Sequence, residues 1–155
     1  MTKAEILPTR AVRYELEIRI DAAADRVWQA LTNETNVWWL PDFHVAAPDS
    51  TVTLDTSPGG HLMERTTDGG GILWYTVQAR APGKAMTLVG PLSVDCGPAT
   101  TMLTLTLEEQ GGGCVLKVAD SLLGHVSDDL VESLRSGWAM LLGDGLKRHV
   151  EVAAP

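Results

Sequence analysis

The chain has 155 residues, of which 45% are hydrophobic and 21% charged, a size and balance that fit one globular domain spanning residues 1–155. Its formal charge of -8 and its scattered Lys and Arg residues disfavour nucleic acid and anionic membranes as partners. No apolar run approaches the roughly 20 residues that span a bilayer, and the N-terminal residues lack the layout of a secretion signal, so we expect a cytoplasmic protein.

The chain begins with a pattern typical of a strand followed by a helix. From Val12 to Ile20 apolar side chains alternate with charged ones, which predicts a strand with one face in the core and one in water. Asp21 or Asp25 is a candidate N-cap for the helix that follows, because both precede its apolar residues. Those residues recur at helical spacing: Val27, Trp28 and Leu31. Pro41 ends this helical stretch.

The middle of the chain is predicted to form short strands separated by turns. The β-type runs lie near residues 51–54, 61–66, 71–80, 84–92, 99–108 and 114–123. Gly-rich and Pro-rich turns separate them, which predicts an antiparallel meander. Leu103, Leu105 and Leu107 alternate with threonines, so we expect this sheet to have one inner, apolar face.

The last segment is predicted to be a long amphipathic helix that covers the sheet. It begins at Ser127, a favourable cap, and runs to about Val152 with apolar residues at spacings of three and four. Three glycines inside it conflict with helix propensity: Gly137, Gly143 and Gly145. Either the helix backbone packs closely there, or the missing side chains leave room for a ligand or a flexible lid.

Cys96 and Cys114 are not expected to form a disulfide. They lie at opposite ends of the predicted hairpin, and strand rise separates them by far more than the roughly 7 Å between Cα atoms that a disulfide tolerates. Both are interpreted as reduced thiols, as expected in a reducing compartment.

The framework motifs together resemble the START-like SRPBCC superfamily, and most closely the branch named after the activator of the heat-shock protein 90 ATPase. The resemblance extends from about Arg10 to Val152. The motifs are the residues 26–32 (RVWQALT), 38–39 (WW), 59–62 (GGHL) and 137–138 (GW) with Leu141 and Leu142. The resemblance implies an α+β helix-grip fold, in which about seven curved antiparallel strands wrap a long C-terminal helix, with one or two short helices after the first strand.

Members of the superfamily differ in function, so the resemblance implies a fold more than an activity. They bind lipids, sterols, polyketides or plant-hormone-like molecules, a few act as cyclases or aromatases, and others assist a chaperone. The larger co-chaperone architecture includes an N-terminal domain for which this sequence shows no counterpart. The resemblance leaves open whether the protein is a monomer or a homodimer.

Metal and nucleotide chemistry have little support in the sequence. The four histidines are His44, His61, His125 and His149, and they form no HxH or HxxxH spacing. The Gly-rich segments are turns and match neither a P-loop nor a dinucleotide fingerprint. We therefore expect no metal and no cofactor.

The favoured hypothesis is that a small apolar ligand, aromatic, acyl or lipid-like, binds between the sheet and the C-terminal helix. The aromatic and aliphatic residues expected to contact it are Trp28, Trp38, Trp39, Trp74, Tyr75, Leu134, Trp138 and Leu141. Trp38 and Trp39 are expected at the cavity mouth, because two adjacent indoles do not point into the same core. Asp120 is a candidate polar anchor, since strand parity directs it inward with its apolar neighbours.

Two alternative functions remain open. One is a cyclase or dehydratase that uses Asp120 or Glu64 as acid or base and Tyr75 as donor. In that case Arg65 or Tyr75 is the expected partner of a buried Asp120, unless Asp120 lies solvated at the strand end. Glu64 and Arg65 are adjacent in one strand, so only one of them faces the cavity. The other alternative is a module that contacts a chaperone or another protein through its outer sheet face, with tryptophans filling the cavity.

Overall fold

The computed structural model describes residues 2–92 and 97–152. The strands are β1 (Arg10–Ile20), β2 (Thr51–Leu54), β3 (His61–Arg65), β4 (Gly71–Ala81), β5 (Ala85–Pro91), β6 (Ala99–Gln110) and β7 (Gly113–Gly124). The helices are α1 (Ala24–Asn33), α2 (Thr35–Trp38), α3 (Asp128–Met140) and α4 (Arg148–Val152). A short 3-10 turn (Pro41–Phe43) follows α2, and a π-helical segment (Leu141–Lys147) joins α3 to α4.

The seven strands form one antiparallel sheet in the order β1-β7-β6-β5-β4-β3-β2. After β1 the chain therefore runs as a meander from one edge of the sheet inward, and β1 pairs with the last strand. The register shifts between Leu62 and Met63 and between Val77 and Ala79, and such irregularities bend a strand and increase its twist. The curved sheet and the long C-terminal helix confirm the predicted α+β helix-grip fold.

The first helix begins without the side-chain cap that the sequence predicted. Its N-cap position is Ala23, whose side chain offers no acceptor, and Asp25 instead lies in the first turn. An acidic group there is favourable because it faces the positive end of the helix dipole. The backbone N–H of Asp21 donates to the Glu151 carboxylate (2.9 Å), so this residue contacts the end of the C-terminal helix.

The C-terminal helix has two halves that differ in burial. The first half, α3, contains no fully buried residue, although its sheet-facing side carries leucines and a tryptophan. The second half comprises the π-helical segment and α4. Val152 at its end is exposed, but four of its apolar residues are almost completely buried: Leu141, Leu142, Leu146 and Val150. Only the second half therefore completes the main core.

The three glycines of this helix have different environments. A Cβ at Gly145 would lie 2.6 Å from the Trp38 carbonyl oxygen, so only glycine allows this close approach to α2. A Cβ at Gly137 would lie 3.6 Å from the Phe43 ring, which is ordinary contact, and one at Gly143 would meet no atom within 4 Å. Close packing therefore explains Gly145 alone.

Cys96 lies outside the described residues, so its predicted separation from Cys114 stays a prediction. Cys114 is buried and carries a free thiol. Within the described ranges, no helix is both long enough and apolar enough to cross a membrane.

Candidate ligand-binding cavity

A cavity of about 180 Å³ lies between β4, the first half of the C-terminal helix and the segment that follows α2. The segment after α2 contributes Trp39, Phe43 and Val45; β4 contributes Trp74 and Tyr75; the helix contributes Ser133, Leu134, Gly137, Trp138 and Leu141. Half of these residues are aromatic, and no lysine, arginine, histidine or carboxylate is among them. The cavity is therefore an apolar, aromatic-walled site with few polar groups, as small-molecule pockets usually are.

Adjacent tryptophans at the end of α2 lie in different places. Trp39 lines the cavity, and its indole N–H donates to the Phe43 carbonyl (3.0 Å). Trp38 does not reach the cavity, and its indole N–H donates to the Ala30 carbonyl (2.8 Å) in the core. The two rings diverge because the helix ends at Trp38 and the backbone becomes extended at Trp39. The prediction that Trp38 lies at the cavity mouth is therefore wrong.

Glu64 fastens the cavity-lining segment to the sheet. Its carboxylate is completely buried and accepts hydrogen bonds from the Ala46 N–H (2.8 Å) and the Ser50 hydroxyl (2.6 Å). The other carboxylate oxygen accepts from the indole N–H of Trp74 (3.1 Å), a cavity-wall residue. The Ser50 oxygen also lies 2.8 Å from Nδ1 of His44. Glu64 faces inward and Arg65 is exposed, which answers the question that strand parity left open.

Asp120 is also completely buried, but its partners are not those that the sequence suggested. Tyr14 donates to one carboxylate oxygen (2.6 Å) and the Thr101 hydroxyl donates to the other. Tyr14 faces Asp120 directly across the β1–β7 pair, and Thr101 lies diagonally on β6. Burial raises the pKa of Asp120, and the two hydroxyl donors oppose that shift. The expectations of a solvated Asp120, or of one bonded to Arg65 or Tyr75, are wrong.

Among the described residues, Tyr75 is the one titratable side chain that lines the cavity. Burial raises the pKa of its hydroxyl, the charge of Asp120 raises it further, and the neighbouring Trp138 lowers it. The ring centres of Tyr75 and Trp138 are 6.1 Å apart with an angle of 53° between the planes, so together they form one wall. At neutral pH the Tyr75 hydroxyl is therefore uncharged and able to donate a hydrogen bond.

Six of the residues predicted to bind the ligand line the cavity: Trp39, Trp74, Tyr75, Leu134, Trp138 and Leu141. Three do not: Trp28, Trp38 and Asp120. Trp28 packs against the outside of the core on α1, because helical spacing turns it away from the fully buried Val27. The sequence did not indicate that Phe43, Val45 and Ser133 line the cavity. Gly137 was indicated only as one of three helix glycines whose missing side chains could leave room for a ligand.

The two carboxylates proposed as acid or base do not line the cavity. Glu64 and Asp120 are not among the lining residues, and both oxygens of each carboxylate accept hydrogen bonds from protein donors. Among residues 2–92 and 97–152, no three His, Cys, Asp or Glu side chains come together in a way that would hold a metal ion. Binding is therefore better supported by this geometry than proton transfer to a bound molecule.

Comparison with protein families gives one match over most of the chain. The family model described as Activator of Hsp90 ATPase homolog 1-like protein matches residues 21–151. This range extends from the end of β1 to α4 and so contains every residue of the cavity wall. A search of curated proteins by sequence finds no match.

Solved structures share the fold at low sequence identity. An uncharacterized protein from Rhizobium leguminosarum is 18% identical with a TM-score of 0.72, covering 95% of this chain and 99% of that one. Ara h 8.0201 is 12% identical with a TM-score of 0.68, covering 92% and 99%. DynU16, from the dynemicin biosynthetic locus, is 19% identical with a TM-score of 0.67, covering 92% of this chain and 48% of that one. At these identities the likeness concerns the fold alone.

Proposed function

The chain belongs to the Activator of Hsp90 ATPase homolog 1-like family, and we propose that it binds a small apolar ligand in the cavity between β4 and the first half of the C-terminal helix. The observation that carries this proposal is the incomplete burial of that half. Leu134 and Trp138 face the sheet but border empty space, whereas their counterparts in the second half are fully packed. A ligand would cover the apolar surface that the protein leaves open.

The size and wall of the cavity indicate the kind of ligand. A volume of about 180 Å³ holds a molecule of one or two rings, and the aromatic walls favour a planar or compact apolar body. Burial of apolar area contributes about 25 cal/mol per Å², but association costs several kcal/mol. We therefore expect dissociation constants at about the micromolar level or weaker for probes that are not the natural ligand.

Two other functions have less support. A cyclase or dehydratase needs an acid or base that reaches the ligand, and within residues 2–92 and 97–152 Tyr75 is the only titratable residue of the wall. An interaction module with a collapsed interior needs the tryptophans to fill the cavity, and Trp39, Trp74 and Trp138 surround it instead. Contact with a chaperone, which the family's name suggests, would then be a property of another surface.

Titration calorimetry with two neutral probes, indole and tert-butylbenzene, tests the proposal. In Gly137→Leu the new side chain projects beside Phe43 into the cavity, so both probes should bind at least about tenfold more weakly, a loss of about 1.4 kcal/mol. Gly143→Leu is the matched control in the same helix, because its side chain meets open space. Equal binding by wild type and Gly137→Leu would show that the probes bind elsewhere, and no binding to wild type would contradict the proposed function.

A further inference from the structure

Two buried carboxylates have no buried cation to balance them. Glu64 and Asp120 are both completely inaccessible to solvent. Their hydrogen-bond donors are neutral: backbone and hydroxyl groups, one indole and one phenol. Among the described residues, neither carboxylate forms an ion pair with Lys, Arg or His. This is uncommon, because buried charges are normally paired.

Each carboxylate interacts with one aromatic residue of the cavity wall. Glu64 is bonded to the indole N–H of Trp74, which polarises that ring and places a carboxylate oxygen 3.1 Å from its nitrogen. Asp120 is close enough to Tyr75 for its charge to add to the rise that burial causes in the pKa of the Tyr75 hydroxyl. Two rings of one wall are therefore each influenced by a buried carboxylate.

The aromatic lining of the cavity adds to the negative electrostatic potential of the two carboxylates. The faces of aromatic rings carry the negative part of their quadrupole, and five of the lining residues are aromatic: Trp39, Phe43, Trp74, Tyr75 and Trp138. The basic residue of α3, Arg135, is already bonded by two of its nitrogens to Glu132 (2.9 and 2.6 Å). No positive charge of the lining residues opposes the rings and the carboxylates.

We propose that the ligand of this cavity is an organic cation, an ammonium group carried on a small apolar body. The proposal rests on the proposed function, since it assigns a charge to the molecule bound there. Aromatic rings surround the ammonium group, and Glu64 and Asp120 supply its counter-charge through the wall without a direct salt bridge. An anionic molecule of the same shape would be repelled by both carboxylates, and a neutral one would gain nothing from them.

The experiment compares three probes of nearly the same shape by titration calorimetry. They are the trimethylphenylammonium ion, its neutral isostere tert-butylbenzene, and the benzenesulfonate anion. We expect wild type to bind the cation at least about tenfold tighter than the neutral probe, which corresponds to about 1.4 kcal/mol, and to bind the anion weakest. A cation-to-neutral ratio of one or less overturns the proposal while leaving the proposed function intact. Failure of the cation and of the neutral probe contradicts both.

Asp120→Asn tests the source of the preference. Asparagine has the same shape without the charge, and the hydroxyls of Tyr14 and Thr101 can each reverse from donor to acceptor to suit it. We expect the ratio to fall at least about threefold. Glu64→Gln is the second variant; its amide cannot accept from both Ala46 and Trp74, so circular dichroism and a thermal melt must first establish that it folds.

Glu17→Gln is the matched control, because it removes an exposed carboxylate whose contact is with Lys117 (3.9 Å) on the outer face of the sheet. It should leave the ratio of cation to neutral probe unchanged. If Asp120→Asn also keeps the wild-type ratio while folded, or if Glu17→Gln lowers it equally, the buried carboxylates are not the source of the preference and the proposal fails.

Discussion

The two halves of the C-terminal helix are one continuous element, yet they pack against the rest of the protein differently. The second half buries its apolar residues and is held by polar contacts as well. Lys147 donates to the Arg19 carbonyl (2.6 Å), and His149 lies 2.9 Å from the Glu34 carboxylate. The first half is held mainly at its start, where Arg10 donates to the Val126 carbonyl (2.6 Å) and Ser127 caps the helix.

This difference separates the half that completes the core from the half that lines the proposed binding cavity. The second half covers the sheet next to α1 and α2 and completes the main core. The first half spans the aromatic cavity, where its apolar residues stay only partly buried. The π-helical segment forms the start of the second half, next to α3, and such segments frequently mark functional sites. The helix is therefore fully packed in its second half and only partly packed in its first half.

Leucine truncation should show the largest contrast between the halves. Leu142→Ala removes a completely buried side chain, so we expect it to lower the free energy of unfolding by about 2 to 5 kcal/mol. Leu134→Ala enlarges a space that is already empty and should cost less than about 1 kcal/mol. Urea denaturation of both variants measures this. Equal losses would mean that the first half is packed as tightly as the second.

Alanine at the glycines should change stability in opposite directions. Gly145→Ala places a methyl group against the Trp38 carbonyl oxygen and should destabilise the protein by about 1 to 3 kcal/mol. Gly137→Ala makes only ordinary contact with Phe43 and gains helix propensity, so it should stabilise by up to about 1 kcal/mol. Thermal and urea melts measure the change in stability of both variants. A stabilising Gly145→Ala would refute the close contact with α2.

Acid should weaken the contacts that Glu34 makes with Arg26 on α1 and with His149 in the second half. The hydrogen bonds from Arg26 and His149 lower the pKa of Glu34 from 4.5 to about 2. Because the folded-state pKa lies below the unfolded one, this contribution is complete above about pH 4.5 and is lost as the pH falls towards 2. Glu34 is partly exposed, so the effect should be about 1 kcal/mol.

Unfolding free energies of wild type and Glu34→Gln, measured from about pH 6 to pH 2, isolate this contribution. The two curves should differ near pH 6 and converge at the acid end. Parallel curves would show that the carboxylate does not stabilise the folded state.

Most of the sheet was predictable because its strands follow a simple alternation. The segment 51–54 and the hairpin of β6 and β7 have turn residues at both ends, and periodicity gives their inner faces. Parity also predicted that Asp120 points inward. Its partners were not predictable, since Tyr14 and Thr101 meet it only through the pairing of β1 and β6 with β7.

The cavity was harder to predict because three of its ten lining residues come from the irregular segment after α2. Phe43 and Val45 follow no period, and their place depends on the hydrogen bonds that Glu64 makes with Ala46 and Ser50. Likewise, α2 ends at Trp38 and the backbone becomes extended at Trp39, a change that composition does not reveal. The sequence thus indicated which kinds of residue line the cavity, but not which of the two adjacent tryptophans faces it.

Amide hydrogen exchange, measured on the free protein and with tert-butylbenzene at saturation, tests the central claim most directly. The account predicts that residues 128–140 exchange faster than residues 141–152 in the free protein, because few buried contacts protect them. The probe should slow exchange in residues 128–141 and in β4, and leave residues 142–152 unchanged. Equal protection of the two halves without ligand, or protection by the probe confined to residues 142–152, would contradict it.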